Sequence, residues 1–413
     1  DATRWSWVFY INLPVGILAL AALLIYLPTN ISQRQTAYAG WAALRRIDFL
    51  GALLVASATI CLLLGLTWGS NATFAWASAQ VIGVLVGCGV LYVLFFVVER
   101  FAREPVLPLD LFRNQVFSMA LLLSFLQLMV LVGLIVYLPL FLQGVLGVSP
   151  TNSGAAITPL TVSSVIGAAL AGILVARFQR YQLVTIVSSI IMAIGLFLLT
   201  RISATINLFE MIVFMVIAGL GLGPFFSVLQ LAAQNSIPRA RLGVGTAAVR
   251  FVGQIGAVLG VALVGTVVNQ TLADDIVKRI PASTVQQLTP AGFKAATDPQ
   301  ILVNSTYRDT VVHTAQRFAV QHAVAQIPPG PQHDQVAASV ATQVQSMLNQ
   351  VFDALKISLT FAIQHGLVAV FVFSLGMVLA AFFLKDIPLS KEHSPAPARV
   401  EQPETSEENL PIV

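Results

Sequence analysis

The side chains able to do chemistry in this sequence are few, and nearly all of them interrupt long apolar runs. Arg250 and Gln254 stand one helical turn apart in one run, Ser124 and Gln127 share a second, and Ser227, Gln230 and Gln234 a third. Gln364 and His365 interrupt another. Amides in a water-filled cavity bind varied organic molecules without demanding one geometry, and their ordinary structural use is the interhelical hydrogen bond. Gln127 is nearest the middle of its run, which makes it the first cavity candidate. His365 is able to exchange a proton near neutral pH, and Glu210, about one turn into its run, is a candidate outer gate or coupling acid. Asp48 and Glu99 fall at the ends of their runs, and no acid lies deeper in any of them. Arg250 lies roughly 9 Å from the middle of its run, about 6 Å inside a 30 Å apolar layer. Two roles are open for it: facing a central cavity with Gln254, or snorkelling its guanidinium to the nearer surface.

Other chemistries lack their residues. There is no nucleotide loop, no nucleophile elbow and no zinc spacing. His313, His322 and His333 are irregularly spaced, and Cys61 and Cys88 fall inside apolar runs, so neither a metal nor a disulfide framework is expected. The sequence therefore reads as a non-enzyme without cofactor. Its net charge of +4 gives no reason to expect a nucleic-acid partner.

These residues are carried by membrane spans. Apolar residues make up 57% of the chain and charged ones 10%, against about 25% charged in soluble domains. Runs near 7–27, 49–68, 79–98, 115–142, 153–176, 182–200, 207–233, 243–269 and 357–384 give nine spans, hence an all-α polytopic membrane protein. Alternate short loops hold Arg34, Arg45, Arg46, Arg100, Arg103, Arg113, Arg177, Arg180, Arg239 and Arg241, whereas the other set holds only Arg201. Basic loops stay in the cytoplasm. Residue 1 is thus expected outside and the C-terminal tail inside, with Trp5, Trp7 and Tyr10 at the outer interface. A chain that enters from outside, and whose first Met is Met119, is expected to lack earlier spans.

Small residues set the packing. Gly219 with Gly223, and Gly256 with Gly260, form G-x-x-x-G pairs that let backbones approach. Pro159 and Pro224 are expected to bend their helices and offer hinges. Residues 270–355 form an outer insert broken at Ile327–Pro331, with a stretch from Gln335 toward Asp353 able to run into the last span. Residues 386–413, rich in Pro and Glu, read as a disordered tail.

Several stretches resemble the major facilitator superfamily, and within it the 14-span drug:proton antiporter branch of multidrug exporters. They are WSWVFYINLPVG at 5–16, YLPLFLQGVLGVSP at 137–150 followed by Ser153-Gly154 and Ile157–Leu160, GLGLGP at 219–224, GTAAVRFVGQIG at 245–256, and FFLKDIPL at 382–389. The resemblance implies that 1–28 is the last helix of an N-terminal bundle and 29–114 a linker with two extra spans. It further implies that 115–269 and 356–385 are the C-terminal six-helix bundle, with the first five spans lacking. The branch's acidic coupling residues and its antiporter motif would belong to those five.

The expected function is proton-coupled efflux of small amphipathic organic molecules by alternating access in the inner (plasma) membrane, with Gln127, Arg250, Gln254, Gln230 and Gln364 as cavity candidates. The proton is the coupling ion, and the lipid bilayer and a missing N-terminal bundle are the partners; alone, the chain is expected to be inactive. A rival reading is a membrane scaffold or receptor acting through 270–355. The topology is checked in a chain with Cys61 and Cys88 replaced by Ser: Ser203→Cys should label with an impermeant maleimide in intact cells, and Gln179→Cys only after permeabilisation.

Overall fold

A computed structural model describes residues 10, 12–26, 48–70, 74–102, 105, 107, 109–280, 296–325, 328 and 330–386. Trp5 and Trp7, the basic residues Arg34, Arg45, Arg46 and Arg103, and the tail beyond 386 lie outside the described residues. Among the described residues every regular element is helical. The long helices are α1 (Asn12–Tyr26), α2 (Phe49–Ser70), α3 (Ala79–Phe101), α4 (Gln115–Gly144), α5 (Pro150–Phe178), α6 (Tyr181–Leu199), α7 (Leu208–Ser236) and α8 (Leu242–Arg279). The short α9 (Gln300–Val303), then α10 (Ser305–Val324) and α11 (Pro331–Phe382), complete the order.

Eight of these are long and apolar enough to cross a membrane, and they match the expected spans from 49–68 onward. For the first expected span the described helix α1 is 15 residues long and buries none of them. The chain is a multi-pass membrane protein. Helices start where capping residues accept the free N–H groups: Asn114 takes those of Val116 and Phe117, Ser149 that of Asn152, and Asn207 that of Phe209.

Lipid offers helices no hydrophobic reward for associating, so close contact must come from shape. Helix α7 is held on two sides. A Cβ at Gly219 or Gly223 would collide with backbone carbonyls of Leu160 and Ser164 on α5, and one at Gly221 with the backbone of Met192 on α6. Helices α4 and α8 meet in the same way: Gly256 abuts the Phe125 carbonyl, and a Cβ at Gly260 would sit 2.7 Å from the Met129 carbonyl. Helix α11 closes the bundle against α8, α4 and α6. Pro139, Pro159 and Pro224 all lie inside helices. The α2–α3 hairpin packs beside the N-terminal end of α4, where Phe95 joins Phe117, Ala120, Ile237 and Val249 in a second core.

The segment expected as an outer insert is not bounded where the hydropathy falls. Helix α8 runs on from the expected end at 269 to Arg279, and α11 begins at Pro331, well before 357, as one helix of 52 residues. Leu272, Ile276, Ile301, Leu348 and Val351 are buried in the core that also holds Val264 and Leu359. Helix α9 seats on the C-terminal end of α4, where Leu302 and Val303 face Gly144. Residues 281–295 and the Ile327 and Pro329 positions of the expected break are outside the described residues.

The glycine contacts are tested by adding side chains. Gly223→Val and Gly256→Val should each cost about 1–3 kcal/mol or more through overpacking, seen as a lower melting midpoint in detergent. Gly172→Ala on α5, where nothing lies within 4 Å of a new Cβ, should leave the midpoint unchanged or raise it.

Candidate functional site

Helices α4, α7 and α8 border a cavity of about 210 Å³ in the half of the bundle that holds the N-terminal ends of α4 and α8. From α4 come Ser124, Gln127 and Leu128; from α7, Phe225, Phe226, Leu229 and Gln230; from α8, Val249, Arg250 and Gln254. The geometry follows from helical spacing, because Ser124 and Gln127 share a face, as do Arg250 and Gln254. The Ser124 hydroxyl donates to the Val249 carbonyl at 3.0 Å. This bond fixes α4 beside the residue that precedes Arg250.

The lining groups divide into those already satisfied and those not. The Gln230 amide donates to Thr246 Oγ1 at 3.0 Å, and Gln234 donates to the same oxygen at 3.3 Å. Gln127 is 3% exposed and its Nε2 has no hydrogen-bond partner. Arg250 and Gln254 are exposed on the open side of the cavity. Among the described residues no carboxylate lines it and none pairs with Arg250.

The other singled-out residues lie elsewhere. Gln364 is separate from the Gln127 cavity: its amide donates to the Ile202 carbonyl just past the C-terminal end of α6. With His365, Phe197, Thr200, Arg201, Val368 and Phe371 it lines a wider pocket of about 590 Å³. His365 is exposed, with Nδ1 2.9 Å from the Phe361 carbonyl. Glu210 is exposed in the first turn of α7, where its charge favours the positive helix end. Gly219, Gly223, Gly256 and Gly260 all serve close packing, and Pro224 abuts Gly167. Pro159 stands in the N-terminal half of α5. No group of three metal-ligating side chains occurs among the described residues.

One residue was missed in the sequence, and the burial of another. Thr246 lies one turn before Arg250, so the helical spacing could have added it. Glu99, which falls at the end of its run, is 3% exposed. Its Oε1 accepts from the Leu107 N–H, while Oε2 has no partner. Gly51, whose N–H donates to Asp48 Oδ1 at 2.7 Å, lies between the two acids. Nothing in sequence spacing brings Leu107 back over the end of α3.

A bundle of six spans around a polar cavity, with a hairpin of two more at its side, defines a polytopic membrane protein. The chain belongs to the Major Facilitator Superfamily, whose model matches residues 1–261. It is 34% identical over 266 residues to Multidrug resistance protein 3 of Bacillus subtilis (strain 168), covering 64% of this chain and 49% of that protein. The Multidrug transporter protein MdtP of the same strain is 34% identical over 264 residues, covering 64% and 47%. Efflux pump dotC of Dothistroma septosporum (strain NZE10 / CBS 128990) is 35% identical over 262 residues, covering 63% and 44%. The chain thus spans about half the length of the curated relatives it matches. A crystal structure of a bacterial homologue of the human lysosomal transporter Spinster aligns at 15% identity with a TM-score of 0.40, covering 82% of this chain and 67% of that one.

The Glu99 contact generates a testable pair. Glu99→Gln keeps an acceptor for Leu107 and should hold the melting midpoint, whereas Glu99→Ala should cost about 1–3 kcal/mol by leaving that N–H unsatisfied. Thermal unfolding of both variants in detergent decides it.

Proposed function

We propose that this chain supplies the C-terminal half of a 14-span exporter that moves amphipathic organic molecules outward in exchange for protons, by alternating access. The observation that carries the reading is the convergence of Gln127, Gln230, Arg250 and Gln254 on one cavity inside an otherwise apolar bundle. Phe225, Phe226 and Leu229 give that cavity an apolar wall beside its polar one, which suits an amphipathic guest. The printed names of the relatives, as multidrug and efflux proteins, support the same class.

The proton-exchanging acid is assigned to a first bundle outside this sequence. Among the described residues Glu99 is the one buried charged side chain, and it belongs to α3 rather than to the six-helix bundle. Residue 1 is assigned to the outer face and the tail to the cytoplasm of the plasma membrane, on the bias of the basic loops. The outer segment shares its core with the bundle, so it serves as a cap on α4, α8 and α11 more readily than as an independent receptor domain.

The test uses the purified chain with a fluorescent amphipathic dye. Binding that Gln127→Ala weakens about tenfold, a loss of roughly 1.4 kcal/mol, is the expected result, together with no gradient-driven accumulation in vesicles. Absence of binding would remove the cavity as a substrate site. Proton-driven accumulation by the chain alone would overturn the need for a second bundle.

A further inference from the structure

The cavity between α4, α7 and α8 has a polarity of its own. Its polar wall carries one fixed charge, the Arg250 guanidinium, which has no acceptor inventory at all, beside the unpaired Nε2 of Gln127, 3% exposed and lining the same cavity. The amide oxygens of Gln127, Gln230 and Gln254 are neutral acceptors and do not cancel that charge. Ser124 spends its hydroxyl proton on the Val249 carbonyl, and Gln230 spends an amide proton on Thr246. No Asp or Glu lines the cavity among the described residues. A cationic guest would meet Arg250 with no carboxylate to offset it, in a region of reduced dielectric where charge repulsion is weakly screened. An anionic guest would meet a fixed positive charge and an orphaned donor, both without partners among the described residues.

Size refines the reading. At about 210 Å³ the cavity is smaller than the roughly 300–1,000 Å³ that enclose a whole drug-sized molecule. It has room for a headgroup, with the apolar remainder lying along Phe226 and out through the open side where Arg250 and Gln254 are exposed. We infer that this cavity selects amphiphiles with an anionic headgroup, a carboxylate, sulfonate or phosphate, held by Arg250 and Gln127 against an aromatic wall. The inference rests on the cavity reading above and adds to it the sign of the guest's charge.

The experiment compares 2-naphthalenesulfonate with trimethyl(2-naphthyl)ammonium, two probes with one ring system and opposite charge. Each is titrated into the full chain in phosphatidylcholine nanodiscs, with empty nanodiscs as the blank. The sulfonate should bind at least about tenfold more tightly. Arg250→Gln should abolish that preference, Arg250→Lys should keep its sign, and Gln127→Ala should weaken the sulfonate alone. Helical circular dichroism and monodisperse elution establish that each variant is folded, and Arg250→Lys keeps the test valid if Arg250→Gln is not. Equal binding of both probes, unchanged by Arg250→Gln, would overturn the anion preference while leaving an amphiphile cavity intact. Tighter binding of the ammonium probe would overturn it outright. Binding of neither probe would remove the preference together with the cavity reading.

Discussion

Backbone approach without side chains between is the constraint on which this bundle depends. In water, burying Leu against Leu would assemble these helices; in hydrocarbon the same exchange gains almost nothing. What remains is contact density, and contact density is highest where a residue without a Cβ lets two helical backbones touch. Gly219 and Gly223 on one side of α7, and Gly221 on the other, set the spacing of α5, α6 and α7. Gly253, Gly256 and Gly260 set that of α4 and α8. The cavity follows from the second contact, because α8 is close enough to α4 for Ser124 to reach the Val249 carbonyl.

Polar groups in such a setting have little freedom to be idle. Most of them here are spent on carbonyls within their own helix or the next, as with Thr185 on the Tyr181 carbonyl and Gln364 on that of Ile202. The exceptions are therefore informative. An unpaired amide nitrogen on Gln127 inside the bundle is a standing cost of a few kcal/mol at most, and a guest that accepts from it recovers that cost on binding.

Much of this was legible in the sequence, for identifiable reasons. Unbroken apolar length marks a span because lipid cannot satisfy a backbone that leaves the helix, so eight expected spans reappear as long helices. The G-x-x-x-G pairs were legible because only one residue type permits the contact. What was not legible depended on neighbours. Gln127 and Gln364 look alike as amides in apolar runs, yet one has no partner and the other is occupied by Ile202, a residue 162 positions away. The helices α8 and α11 run past the spans expected at 243–269 and 357–384, because hydropathy reports where hydrocarbon stops. A helix carries its own hydrogen bonds and need not stop there, and Asp274, Asp275, Lys278 and Arg279 simply continue α8 into water.

The 52-residue helix α11 is also a mechanical element. It spans the membrane and then extends roughly 40 Å beyond it at 1.5 Å per residue, without a described break between its two parts. A rigid rod converts rotation at one end into displacement at the other. A tilt of about 5° within the bilayer would carry its far tip about 3 Å sideways over that length, and α10, which packs along it, would travel too. The outer cap is in this sense a lever arm, on which small changes of angle in the bundle appear as movement at the surface.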